Sequence, residues 1–169
     1  GKLIGKMIGY QGVDVQIELF KSILGEKTFH KSFQTIEKVY NEGADLHKFA
    51  WDFVEFTHAL ILIKENLADR DSLNYPIEDI QKITKELEPY NSEILTLLSE
   101  KIYTIYEKLM YLKLRNSFEM KIFIEISIRK LIFDLNRPSV AGVLEKIHDL
   151  QQLLQKEGEK FIASAATRQ

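Results

Sequence analysis

An all-α fold in a single domain is predicted by three features of the 169-residue chain. Apolar residues recur at three- and four-residue spacing along most of it, which is the period of a helix with one buried face. The three prolines, Pro76, Pro89 and Pro138, fall between long periodic segments rather than inside them, and no Asn-Gly or Gly-Gly pair marks a tight hairpin. The length suits one domain with a real hydrophobic core. Applying the helical period between the breakers gives about seven helices.

The first helix carries Val13, Ile17, Phe20 and Leu24, with Gly25 as its stop. The second carries Phe29, Phe33, Ile36 and Tyr40, with Thr28 as its cap and Gly43 at the left-handed position past its end. The third starts at Asp45, whose carboxylate can accept free N–H groups of the first turn. Its seam is Leu46, Phe49, Phe53, Phe56, Leu60, Ile63 and Leu67. A second stripe of Trp51, Val54 and Leu62 predicts neighbours on two sides. Pro76 suits the first turn of a fourth helix through Ile77, Ile80, Ile83 and Leu87, which ends before Pro89. Ser92 is expected to cap a fifth helix with Leu95, Leu98, Ile102, Ile105, Leu109 and Leu112.

The segment Lys121–Ile128 alternates like a strand, with isoleucine at 122, 124, 126 and 128. With no partner strand in view, we read it as helix, capped by Ser117, with Phe118, Ile122, Glu125 or Ile126, Arg129 and Phe133 recurring on one face at the helical period. A last helix is expected from Ser139 through Val143, Ile147, Leu150 and Leu154. Three regions follow: a linker over 1–12, a helical domain over 13–157, and a small, polar, fraying tail over 158–169. The chain begins with Gly1, from which we expect a piece of something longer.

Composition excludes several function classes. Lysine and arginine total 23 against 25 aspartate and glutamate, so the net charge of -2 gives no general drive toward a polyanion. With no cysteine, a disulfide framework, a thiolate nucleophile and a cysteine zinc site are impossible within the chain. No apolar run reaches the ~18 residues that cross a bilayer.

Catalytic and cofactor signals are also missing from the sequence. Gly1-Lys2-Leu3-Ile4-Gly5-Lys6-Met7 has the wrong glycine spacing for a phosphate loop and lacks the Ser or Thr after the lysine. His30, His47, His58 and His148 never fall four apart, and Glu55-x-x-His58 has no second copy with which to build a di-metal site. Lys113, Arg115, Lys121, Arg129 and Lys130 form a modest basic region interrupted by Glu119 and Glu125. Catalytic, cofactor and metal residues are therefore assigned to none. Trp51, Tyr103, Tyr106 and Tyr111 are candidate interface anchors, because amphipathic aromatics concentrate where proteins meet.

The stretch from Leu19-Phe20-Lys21-Ser22-Ile23-Leu24, through Val39-Tyr40-Asn41-Glu42-Gly43-Ala44-Asp45-Leu46-His47-Lys48-Phe49, to Leu60-Ile61-Leu62-Ile63-Lys64 resembles domain III of the gamma/tau subunit of bacterial DNA polymerase III. There a Gly-x-Asp-Leu-x-x-Phe turn joins a helix pair to a long helix, and Gly43, Asp45, Leu46 and Phe49 match it. Glu125–Leu135 with Arg137-Pro138 resembles the penultimate helix, and Lys6-Met7-Ile8-Gly9 the link from a preceding lid domain.

The resemblance implies a collar-type helical bundle that oligomerises with gamma/tau, delta and delta-prime subunits of a cytoplasmic clamp loader. It implies a non-catalytic domain, with the ATP site, zinc module and arginine finger in other domains, no cofactor or small-molecule ligand here, no membrane partner, and weak or no direct DNA contact. It leaves the gamma and tau forms undecided. The competing reading is a free-standing helical adaptor that binds a helix or peptide in a groove.

Overall fold

The computed structural model describes residues 12–69, 72–137 and 140–168. Among these residues every regular element is helical: α1 (Gly12–Phe20) running into a π-helical turn (Lys21–Gly25), α2 (Phe29–Asn41), α3 (Leu46–Lys64), α4 (Ile77–Glu86), α5 (Ser92–Tyr111), α6 (Ser117–Leu135) and α7 (Val140–Thr167). The all-α prediction holds, and the alternating isoleucines lie on a helix. The linker expected over 1–12 lies outside the described residues except for Gly12, which opens α1 at a φ of 69°.

Side chains that satisfy free backbone groups set the helix ends. Asp45 accepts the N–H groups of His47 and Lys48 at 3.0 and 3.2 Å. Asn91, rather than Ser92, caps α5 by accepting the N–H of Ile94 at 2.9 Å. At α6 the group accepting the Glu119 N–H is Asn116, at 2.9 Å, rather than Ser117. In both cases an asparagine directly precedes the serine, and capping by its side chain lets the helix begin one residue earlier, at the serine itself. Pro76 stands just outside α4, its carbonyl accepting from Asp79 and Ile80.

Gly25 does not end the first helix by a left-handed turn; that conformation belongs to Lys27, at φ 54°. Gly25 instead leaves room for Tyr90, whose Oη would stand 3.2 Å from an added Cβ. In the π turn the Ser22 hydroxyl donates to the Leu19 carbonyl at 2.7 Å and shares a buried 2.6 Å bond with Ser32 of α2.

The chain divides into two compact units, Gly1–Leu135 and Asn136–Gln169. α7 continues past Gly158 to Thr167. One glycine in a helix costs only ~1 kcal/mol, and Ala163, Ala165 and Ala166 are the strongest helix formers. Lys160 and Glu157, 3.4 Å apart, pair across the glycine.

The core of the first unit is built on α3, which packs against α1, α4, α5 and α6. Phe49, Phe53, Phe56 and Leu60 of its predicted seam are buried together with Leu95, Leu98, Ile102 and Leu109 of α5. Phe20 meets Phe56 and Tyr90 edge-on, and Phe53 stacks on Phe56. Thr57 bridges to Ser99 across the α3–α5 contact at 3.5 Å. Leu67 leaves the predicted seam because Asn66 turns the chain at φ 55°, past the helix end.

The buried faces of α2 and α6 differ from those predicted. Ile36 and Val39 with Ser32 form the buried side of α2, and Phe33 lies at the rim. In α6 the buried residues are Lys121, Ile124, Ile128, Leu131 and Ile132, whereas Phe118, Ile122, Ile126 and Phe133 are exposed. Isoleucines two apart are about 200° apart on a helix, so alternation sends 124 and 128 inward and 122 and 126 outward.

Phe56→Ala should cost about 3–5 kcal/mol through transfer loss and cavity formation, read as a lower urea midpoint at an unchanged slope. Gly43→Ala should cost about 1–2 kcal/mol from the positive φ alone, because an added Cβ meets nothing within 4 Å. A thermal melt of Gly43→Ala unchanged from wild type would contradict that account.

Candidate interaction surface

The predicted turn motif is a structural joint. The N–H of Gly43 donates to the Tyr40 carbonyl at 3.0 Å and that of Ala44 to the Val39 carbonyl at 3.3 Å, closing the end of α2 through the left-handed Gly43 at φ 72°. Two residues on, Asp45 caps α3, and Leu46 and Phe49 descend into the core. Each of the four motif residues thus has a folding role.

The four candidate anchors separate in the structure. Trp51 of α3 packs against Tyr106 of α5, with ring centroids 5.1 Å apart. The Trp51 indole N–H donates to Glu55 at 2.8 Å. Trp51 is 39% exposed, whereas Tyr106 is half-buried against the core. Tyr103, one turn before Tyr106, and Met110, one turn after it, continue the strip and are exposed. Tyr111, at the end of α5, is 87% exposed. A strip of large, half-wet aromatic side chains carries more apolar area than a scatter of single residues.

A second apolar strip, which the sequence reading took for core, is the outer face of α6: Phe118, Ile122, Ile126 and Phe133. Between it and α2 sits a buried cation. Lys121 pairs with Glu37, and with Glu125 at 3.5 Å. The rings of Tyr40, Phe118 and Phe33 surround its ammonium at 5.2, 5.6 and 6.0 Å. Glu125 Oε1 has no hydrogen-bond donor at normal distance, so this longer ion pair is its compensation. The hydrogen bond to Glu37 chiefly, with the charge of Glu125 adding to it and burial opposing it, holds the Lys121 pKa above the ordinary lysine value of 10.5.

One clue to this arrangement lies in the sequence: aromatic residues recur on each of two helices, with a lysine at the apolar edge of one. Its burial also removes Lys121 from the predicted basic region. Arg129, over the ring of Phe29 at 5.6 Å, is partly engaged as well.

In the second unit, α7 has no buried residue. Val140, Val143, Leu144, Ile147, Leu150 and Leu154 fall on one side, an apolar stripe about 120° wide at 100° per residue. Phe161 and Ile162 extend it past Gly158. Glu145, Asp149, Lys156 and Lys160 occupy the opposite side. A stripe of this width suits a helix packed in a bundle.

His58, of the predicted Glu55-x-x-His58 pair, is exposed, and Glu55 is engaged by Trp51. Among the described residues no group of three or more His, Cys, Asp or Glu side chains could hold a metal ion. No helix among them is long and apolar enough to cross a membrane.

Fold and surface together define the class: an all-α domain carrying more large apolar side chains than its own core encloses. Residues 2–105 match the family described as DNA polymerase III subunits gamma and tau domain III. That is more than half of the chain, and the protein belongs to this family. The match takes in the Gly43–Phe49 turn, Trp51, Tyr103 and α5 as far as Ile105, but stops before α6 and α7. No curated protein and no solved structure matches the chain.

Because the Lys121 pKa is raised on folding, its contribution to stability is complete below pH 10.5 and fades as pH rises through the folded-state value. Lys121→Met keeps the stem that packs on the rings but strands two carboxylates. It should destabilise by about 1–3 kcal/mol at pH 8, with the gap from wild type narrowing above pH 10.5 in urea titrations. A gap that widens with pH would contradict the assignment.

Proposed function

We propose that this chain is an oligomerisation and scaffold domain of the DNA polymerase III gamma/tau subunit, one segment of the collar that holds the clamp loader together during DNA replication. In this reading it does no chemistry, takes no cofactor, and works in the cytoplasm with gamma/tau, delta and delta-prime collar domains as partners. Contact with DNA or a membrane is not its task.

Membership of the domain III family is the observation that carries the reading. The surplus apolar surface supports it. The core of the first unit is complete without Tyr103, Met110, Tyr111, Ile126 or Phe133, and such side chains are costly to leave in water unless something covers them. The adaptor reading gains no specific support.

Multi-angle light scattering of the chain at tens of micromolar, alone and mixed with delta and delta-prime collar domains, tests the proposal. The expected result is a defined assembly larger than the monomer. Replacing Tyr103 and Tyr111 together by serine should weaken assembly roughly tenfold or more, while shifting folding stability by only about 0.5 kcal/mol for each exposed site. Persistent monomers in every mixture would overturn the collar reading.

A further inference from the structure

We propose that α7 pairs with α7 of a second copy of this chain as an antiparallel two-stranded coil. Its apolar side chains fall into a seven-residue repeat, with Val140, Ile147, Leu154 and Phe161 at one seam position and Val143 and Leu150 at the other. None of them is buried within the chain. Side chains at this spacing call for a facing helix, whose surface presents the holes that they fill. The exposed surface of the apolar residues on α7 is on the order of 1,000 Å², against the ~800 Å² per partner that a standard interface buries. The stripe alone is large enough to hold a dimer.

Orientation and register follow from the residues that break the repeat. Glu157 occupies a seam position. A parallel pair would set each Glu157 against its own copy, two like charges face to face in the seam. An antiparallel pair centred on Gln152 instead sets Glu157 opposite Ile147 of the second copy. It then lies between its own Lys160, 3.4 Å away, and Lys146 of the second copy. The same register seats Phe161 opposite the smaller Val143, and Leu150 opposite Leu154.

The leucines beside the seam are covered as well. Leu144 comes against Gly158, where even an added Cβ would meet nothing within 4 Å. Leu153 meets Leu153 of the second copy near the twofold axis. A stripe that complements its own reverse in this way selects a second copy over an unrelated helix. The seam spans only about three heptads and carries one charge, so free chains pair weakly. An assembly that holds two copies together raises their effective concentration to about millimolar and completes the pair. That a collar supplies this setting rests on the proposed function. The pairing itself does not.

The test uses the whole chain, which has no cysteine of its own. Leu150→Cys and Leu154→Cys are oxidised separately and as an equal mixture at the same total concentration, with Gln152→Cys, on the outer side of the pair, as background. The mixture should form disulfide-linked dimers roughly tenfold faster than either variant alone. Adding Leu153→Lys to both variants should return the mixture to background, because two ammonium groups then meet at the axis. Leu153 is exposed within the chain, so this change should leave the thermal melt of the first unit unaltered.

Either variant crosslinking alone as fast as the mixture, a mixture no faster than Gln152→Cys, or a mixture indifferent to Leu153→Lys would overturn the pair. Crosslinking as expected in a chain that forms no assembly with delta and delta-prime domains would uphold the pair and remove only its collar setting.

Discussion

The structure of the first unit depends on one constraint: α3 is apolar around most of its circumference and must be covered on several sides at once. A helix with a single greasy stripe is satisfied by one neighbour. Here Phe49, Phe53, Phe56 and Leu60 face one set of helices, while Val54 and Ala59 extend the buried surface round the axis. The remaining elements follow from that demand. α5 supplies the long facing seam, the edge of Phe20 in α1 closes on Phe56, and α4 is drawn in through Ile83 and Leu87. Lys64 of α3 donates to the Leu87 carbonyl at 3.3 Å, tying α4 to the same hub.

Much of this was legible in the sequence, and the reasons for the successes and misses are physical. Helix positions could be read because prolines and caps act locally, within one turn of their own residue. The Asp45 cap, the left-handed Gly43 and the seam of α5 needed nothing beyond neighbouring residues. Which face of a helix is buried is a tertiary matter, and there the reading went astray twice. α2 and α6 each carry apolar residues on two faces, and periodicity alone prefers the face with the larger side chains. In both helices those larger residues lie at the rim, where Phe33, Tyr40 and Phe118 surround Lys121. The burial of a lysine between two glutamates cannot be seen from the period of either helix, because the three side chains come from positions up to 88 apart (Glu37 to Glu125).

Those misplaced faces carry the functional meaning. Residues that sequence reasoning assigned to the core, such as Ile126 and Phe133, prove to be surface in the folded unit. The same holds for the whole apolar stripe of α7. Taken by itself, α7 is a 28-residue helix with an apolar stripe and no buried side chain, and tertiary packing is what stabilises most protein helices. Surplus apolar surface of this kind is what the proposed scaffold role would use, and membership of the gamma/tau domain III family supplies the assembly in which to look for its partners. The chain's near-neutral charge fits as well, since it leaves association to shape and apolar contact rather than to long-range steering.

Hydrogen–deuterium exchange of the chain, alone and mixed with delta and delta-prime collar domains, tests most directly whether other subunits cover this surface. The account predicts that amides of the second half of α5, of α6 near Ile126, and of α7 gain protection on mixing, while the already protected centre of α3 does not change. Exchange that is identical in the two samples across all three helices, under conditions where the partners are folded and in excess, would contradict it.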